Sequence, residues 1–313
     1  MPIFRIILFL FIATFSQLNF ANIRTVQFAT PPHQSIVNTG DVKVITGDHF
    51  RFHVLKDSGA YTATIVESAA GSILIDTGTG KNPAFGKNIH TYLTSIGKPV
   101  SVIITHDHSD HYGNLNAILG IQSIYAQTSV AKSLNQNKKF QKLTNIKVTD
   151  IQGSANLYGL IYDFHTIDHA EADHNSYIAI DSAKGLFVGD LLYVDAYNYI
   201  REYTPLDETD ELDNWISAIK HLKQKYADYD YVFVGHNGFS EDIPMLVDKN
   251  VHYLSTAQAL IKGTQKLPTN KAATSVVEVV NEMKRRFPNY KGKGLGFALP
   301  GSFWPEDPGA KWF

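Results

Sequence analysis

The stretch Thr105–His111 reads T-H-D-H-S-D-H and follows directly on the apolar run Val100–Ile104, V-S-V-I-I. Three imidazoles and two carboxylates crowd into seven positions at the end of a predicted buried strand. Hydrated side chains in such a place cost free energy unless they find partners. A metal ion is a partner that makes the crowding favourable. His106 and His108 stand two apart, so in extended backbone their rings share a face and reach one cation. Asp110 and His111 follow after a turn and can be presented to a second.

Strands and helices alternate on both sides of this stretch. Upstream, Phe50–Val54 and Tyr61–Glu67 read as strands, and Gly71–Gly78 (GSILIDTG) as a buried strand ending in a turn with Asp76 at its tip. The pattern predicts a helix over Lys87–Ile96. Downstream come a helix beginning at Asn116–Leu119, a strand at Gln122–Ala126, a helix at Ser129–Leu134, and strands at Leu160–Phe164, Tyr177–Ile180 and Leu186–Val188. Thr209–Lys225 is the clearest amphipathic helix, with Leu212, Trp215, Ile216, Ile219 and Leu222 on one face and Asp207 and Thr209 as its cap. Tyr231–Val234 is a buried strand delivering Gly235–His236, and helices over Leu246–Ile261 and Ser275–Phe287 follow. Such alternation predicts α/β layering. A His or Asp recurs where strands end, which is where function is grafted on layered folds.

Composition narrows the chemistry. Of 313 residues, 44% are apolar and 19% charged, as in a globular chain able to bury a core, and the net charge of -2 gives no footprint for nucleic acid. No cysteine is present, so any metal must be held by nitrogen and oxygen donors, and disulfides and thiol nucleophiles are excluded. Met1–Arg5 carries one positive charge, Ile6–Phe15 is a short apolar core, and Ser16–Ala21 is more polar and ends in a small residue. That is the plan of a secretory signal over 1–21, cleaved near Ala21, which predicts a periplasmic or secreted protein with no stable membrane insertion afterwards. No long linker or repeat divides the rest, so 22–313 is expected to be one domain, with a helical extension from about 242.

The H-x-H-x-D-H run resembles the metal-binding signature of the metallo-β-lactamase superfamily, and the resemblance extends from about Val42 to Gly238. It implies an α/β fold, a four-layer αββα sandwich carrying two metals at one edge. Asp76 in I-D-T-G, Asp190 in V-G-D-L and His236 in V-G-H-N fall where that superfamily has its first Asp, its bridging Asp and its last His ligand. The third motif departs from the pattern. Members show G-H-T before a strand, whereas Asp168–Ser176 reads D-H-A-E-A-D-H-N-S. His169, 21 positions before Asp190, is the expected ligand because imidazole is the better zinc donor, with His174 and Glu171 as alternatives.

The resemblance implies that His106, His108 and His169 hold one Zn2+, that Asp110, His111 and His236 hold another, and that Asp190 bridges them; Fe or Mn would also suit these donors. Two such cations polarise a substrate oxygen and give a bridging hydroxide near neutral pH. Asp110 is placed to move a proton, Asp76 to orient a ligand, and Tyr193, three residues after Asp190, to assist a substrate carbonyl as in lactonase-like members. Asp at 190 resembles glyoxalase II-like and lactonase-like hydrolases. The expected function is therefore a dinuclear metallohydrolase acting on a small-molecule ester, lactone, thioester or amide. The alternatives are an iron-dependent oxidoreductase and a non-catalytic binding protein. Tyr197, Tyr199 and Tyr203 are candidates for an aromatic wall, and Leu295–Phe313 for packing on the sandwich or forming a homodimer.

Overall fold

A computed structural model describes residues 42–58, 61–200 and 211–292. The expected signal segment 1–21, the cap at Asp207 and Thr209, Tyr203 and the tail Leu295–Phe313 lie outside the described residues.

Two sheets carry the fold. The first holds, in chain order, β1 (Val42–Thr46), β2 (Phe50–Lys56), β3 (Thr62–Ser68), β4 (Ser72–Ile75), β5 (Val100–Ile103), β6 (Ile121–Gln127) and β7 (Val148–Ile151). Pairing is antiparallel from β1 to β4 and parallel from β4 to β7. The second sheet runs β13-β12-β11-β10-β9-β8, comprising β8 (Gly153–Leu157), β9 (Leu160–Asp168), β10 (His174–Ile180), β11 (Gly185–Phe187), β12 (Tyr231–Phe233) and β13 (Phe239–Ser240). Only its β11–β12 pair is parallel.

The helices are α1 (Pro83–Ile96), α2 (Ser109–Tyr112), α3 (Thr128–Gln136), α4 (Lys138–Gln141), α5 (Glu211–Lys225), α6 (Ile243–Ile261) and α7 (Val276–Arg286). Period-two alternation decides which side chain enters which layer. In β4, Ile73 and Ile75 join Phe52, Ile103, Phe164, Ile178, Phe187 and Phe233 between the sheets. Leu74 points the other way, under Phe85, Ile89 and Leu93 of α1 and Val130 and Leu134 of α3. In β10, Ile178 and Ile180 face the space between the sheets, while Tyr177 and Ala179 face Trp215 and Ile219 of α5 and, further on, residues of α6 and α7. The result is the four-layer αββα sandwich. Strands buried on both faces read as continuous apolar runs, which is why Val100–Ile104 looked as it did.

Some local expectations shift. α1 starts at Pro83, four residues before the expected Lys87, because Asn82 accepts a hydrogen bond from the Phe85 N–H and proline sits in the first turn, where its missing donor costs nothing. The helix expected from Asn116 is a single 3-10 turn, Leu115–Ala117, followed by Gly120 at φ 80°. The helices after residue 242 pack on the second sheet with α5. Among the described residues no helix is long and apolar enough to cross a membrane.

Candidate metal centre

Strand exits from both sheets converge on one edge. β5 runs on through Ile104–Thr105 into a turn, with α2 beginning at Ser109, so that His106, His108, Asp110 and His111 come together. Asp76 leaves β4 with φ 57°, a left-handed conformation that aspartate tolerates better than most residues bearing a Cβ. Its carboxylate accepts from the Thr105 backbone N–H at 2.9 Å and the Thr105 hydroxyl at 2.8 Å, and pairs with His111 Nδ1 at 2.8 Å. Asp76 therefore fixes the His111 ring so that Nε2 faces Asp190.

From the second sheet, β11 delivers Gly189 (φ 52°) and Asp190, and β12 delivers Gly235 and His236. These exits are tied together: Gly235 N–H donates to Gly189 O at 2.8 Å, and Thr62 N–H to Gly235 O at 2.9 Å. The buried Trp215 ring of α5 donates to Leu191 O at 2.9 Å and anchors the segment carrying Asp190 to the outer helix layer. Asp190 Oδ2 lies 3.0 Å from His236 Nε2 and accepts the Tyr193 hydroxyl at 2.8 Å, while Oδ1 faces His111 Nε2 at 3.4 Å. Asp110 Oδ2 is 3.5 Å from His236 Nε2.

At the third motif the structure places the three candidate side chains differently. His169 sits at φ 52° on the turn between β9 and β10, its N–H donating to Asp173 O and its carbonyl accepting from Asn214. That reversal leaves His169 exposed and outside every donor group. His174 is 40% exposed and pairs with Asp168. Glu171 is the side chain that enters: Oε2 lies 3.5 Å from His106 Nε2 and Oε1 lies 3.3 Å from His108 Nδ1. Asn175 holds it there, donating to Glu171 Oε2 at 3.2 Å and accepting from the Ala172 N–H at 2.8 Å. A sequence signal existed. Glu171 is flanked by Ala170 and Ala172, both buried, whereas His169 and His174 stand beside Asp168 and Asp173.

The donors form three trios whose ligand atoms lie within 4.8 Å of one another: His106, His111 and Asp190; His106, His108 and Glu171; Asp110, His111 and His236. Each trio combines strand exits of both sheets. The fit to metal ions rests on atoms left without partners. His111 Nε2, Glu171 Oε1 and Asp190 Oδ1 are buried and make no hydrogen bond among the described residues. Orphaned polar atoms cost about 1–3 kcal/mol each. Cations held by these trios would satisfy all three, and nitrogen and carboxylate oxygen are donors that suit zinc, iron and manganese.

Titration follows from the same crowding. Burial, and then the charges of His111 and His108, push His106 well below its ordinary value, so that ring is neutral. Burial also opposes charge on His236, but the Asp190 and Asp110 carboxylates prevail and raise it to about 10. His111 is likewise raised, by Asp190 and Asp76 against burial. Burial opposes ionisation of Asp110, yet the His236 hydrogen bond and the His111 charge hold its carboxyl well below the usual range. Burial raises Glu171, and His108 counteracts it. Protons thus occupy places that a cation of higher charge can take.

The open face is formed by Asp110, His108 and His236, whose side chains are 29%, 21% and 17% exposed. Tyr199 stands edge-on to His108 with ring centroids 5.4 Å apart. Tyr197, expected beside it, packs on Tyr253 and Tyr290 instead. Tyr193 is brought to the cluster, but its hydroxyl is committed to Asp190 and its ring stacks on His236 at 5.3 Å. Tyr61, which sequence reasoning did not single out, also meets His236, at 5.1 Å. Burial, then the charges of Asp110, Asp57 and Asp190, raise its phenol to about 12.

Comparison with known proteins agrees with this architecture. A metallo-beta-lactamase from Pontibacter korlensis superposes with a TM-score of 0.52 at 22% identity, over 69% of this chain and 99% of that one. The DIM-1 metallo-beta-lactamase gives 0.50 at 16% identity, over 70% and 99%. A double mutant of the sec-alkyl sulfatase PisA1 gives 0.54 at 15% identity, over 80% of this chain but 50% of the sulfatase. At these identities the likeness concerns the fold alone. No curated protein shows significant sequence similarity to the chain. The sequence profile of the metallo-beta-lactamase superfamily matches residues 58–236, from the loop before β3 to the last histidine of the cluster. That span is more than half of the sequence, and the chain belongs to the metallo-beta-lactamase superfamily.

Proposed function

We propose that the protein is an exported hydrolase that holds two divalent ions, zinc in the simplest case, and cleaves an ester, lactone, thioester or amide. The observation that carries this reading is the convergence of three orphaned buried atoms, on His111, Glu171 and Asp190, within overlapping donor trios. His106, His108 and Glu171 would hold one ion and Asp110, His111 and His236 the other, with Asp190 between them. Bound there, the ions would supply Lewis-acid polarisation of a substrate oxygen and a water acidic enough to attack near neutral pH.

The chain's own residues do the rest. Asp110 is the most exposed carboxylate of the cluster and can take a proton from the attacking water and pass it to the leaving group. Tyr193 and Asp76 keep Asp190 and His111 in register through hydrogen bonds. Metal analysis of the purified protein should find about two equivalents, following the count of donors. A screen of lactones, β-lactams, thioesters, phosphodiesters and sulfate esters should find turnover that a chelator abolishes. At most one weakly held ion, with chelator-insensitive turnover, refutes the reading. Export is supported by the composition of 1–21, and the secreted form should begin near residue 22 when its N-terminus is sequenced.

A second reading has a specific observation behind it. Each of the three trios combines two imidazoles with one carboxylate, a donor set that iron also accepts. Elemental analysis after growth in defined medium separates iron from zinc.

A further inference from the structure

Two phenols touch the ring of His236, and they are engaged differently. Tyr193 is 4% exposed, and its hydroxyl is spent on Asp190 at 2.8 Å. A buried group already donating its only proton cannot donate it to a substrate as well. Tyr61 is half-buried, and its ring lies 5.1 Å from that of His236, one of the partly exposed donors. Its backbone is fixed on three sides. The N–H donates to Asp57 Oδ1 at 2.8 Å, the carbonyl accepts from the Asp57 N–H at 3.0 Å, and residue 61 forms an antiparallel bridge with His236. The ring packs against the outer core of the first sheet. Among the described residues its hydroxyl makes no hydrogen bond. A rigidly held aromatic with a free donor, beside the most accessible donors of the cluster, is a group prepared for a ligand.

Building on the hydrolase reading above, we propose that Tyr61, rather than Tyr193, is the catalytic phenol: its O–H donates to the acyl oxygen of the substrate as negative charge builds there. In the step, the water oxygen bonds to the acyl carbon while the carbonyl π pair moves onto the acyl oxygen, and Asp110 receives the proton that the water loses. Tyr61 keeps its own proton throughout and only strengthens its hydrogen bond to the developing oxyanion. When the bond to the leaving group breaks, the electron pair returns to re-form the carbonyl, and the leaving group departs with the proton from Asp110. A donor aimed at charge that exists only in the transition state lowers the barrier more than it tightens ground-state binding. Tyr193 is instead a positioning residue, acting on the reaction through Asp190.

The test compares the zinc-loaded full chain with Tyr61→Phe and Tyr193→Phe. Hydrolysis of 4-nitrophenyl acetate and binding of phenylphosphonate, a stable mimic of the tetrahedral oxyanion, are measured beside metal content and thermal unfolding. Tyr61→Phe should keep wild-type metal content and melting. Its kcat/KM should fall about 100-fold, mostly in kcat, the order lost with one oxyanion donor. Its phenylphosphonate Kd should rise about tenfold, as for one lost hydrogen bond to a charged group. Tyr193→Phe should show a lowered metal content instead. Either arm decides alone: a Tyr61→Phe protein within twofold of wild type in turnover, or in phosphonate binding where nothing is turned over, overturns the inference. A wild-type protein that takes up no metal and neither hydrolyses nor binds these probes overturns the reading of the site itself, and the inference with it.

Discussion

Gly235→Ala adds one methyl group at the tightest point of the cluster. A Cβ at that position would lie 2.2 Å from Asp190 Oδ1 and 2.5 Å from His111 Cε1. Ordinary contacts begin at about 3.5 Å, so each partner must give way by about 1 Å. Neither can move freely. The Asp190 carboxylate is pinned through its other oxygen by Tyr193 at 2.8 Å and His236 at 3.0 Å, and His111 is held by Asp76 at 2.8 Å. Metal ligands tolerate errors of about 0.2 Å, so the methyl group should weaken ion binding by about 10–100-fold. Misplacement by 1 Å should also cost about 100-fold in turnover. Overpacking itself costs about 1–3 kcal/mol and lowers the melting temperature by a few degrees. Gly235 is not among the residues with positive φ, so the effect is the clash and not backbone strain. Gly120→Ala is the control, since Gly120 has φ 80° and nothing within 4 Å of a Cβ; it should lose stability but no metal. Elemental analysis, melting and kinetics on the three proteins check this. A Gly235→Ala protein with full metal content and kcat/KM within threefold of wild type refutes the reasoning.

His169→Ala should leave metal content unchanged, whereas Glu171→Gln should lower it by about 10–100-fold in affinity, measured by competition with a chromogenic chelator. Removing metal with a chelator should lower the melting temperature, because an ion present at about 1,000 times its Kd stabilises the folded state by about 4 kcal/mol, and added zinc should restore it. Glu282 supplies a pH test away from the site: hydrogen bonds from Arg285, opposed by burial, and from Arg286 lower its carboxyl from the usual 4.5 to about 2. Its stabilisation is therefore complete above pH 4.5 and lost as pH falls toward 2, so Glu282→Gln should cost about 1 kcal/mol at pH 7 and nothing near pH 2, by denaturant titration.

The parts legible in the sequence are those where one local signal suffices. The apolar run Val100–Ile104 with its donor-rich exit marked both β5 and most of the cluster, because a strand buried on both faces leaves no polar alternation to confuse. α5 was readable because Leu212, Trp215, Ile216, Ile219 and Leu222 keep helical spacing on a buried face. β7 and β8 went unread, being short and carrying exposed polar residues such as Thr149, Asp150 and Ser154. Glu171 displaced His169 because a turn conformation, not donor chemistry, decides which side chain faces inward. The importance of Gly235 and Tyr61 depends on what stands opposite them in space, and no window along the chain contains that.

Since each of the three donor trios draws on both sheets, no trio is complete until the two halves of the sandwich have met. Capture of an ion by a whole trio would then be a late event in the life of the chain, following the meeting of the halves in register. A misassembled or proteolytically separated molecule would lack every complete trio, so an ion held in one would certify that folding is complete.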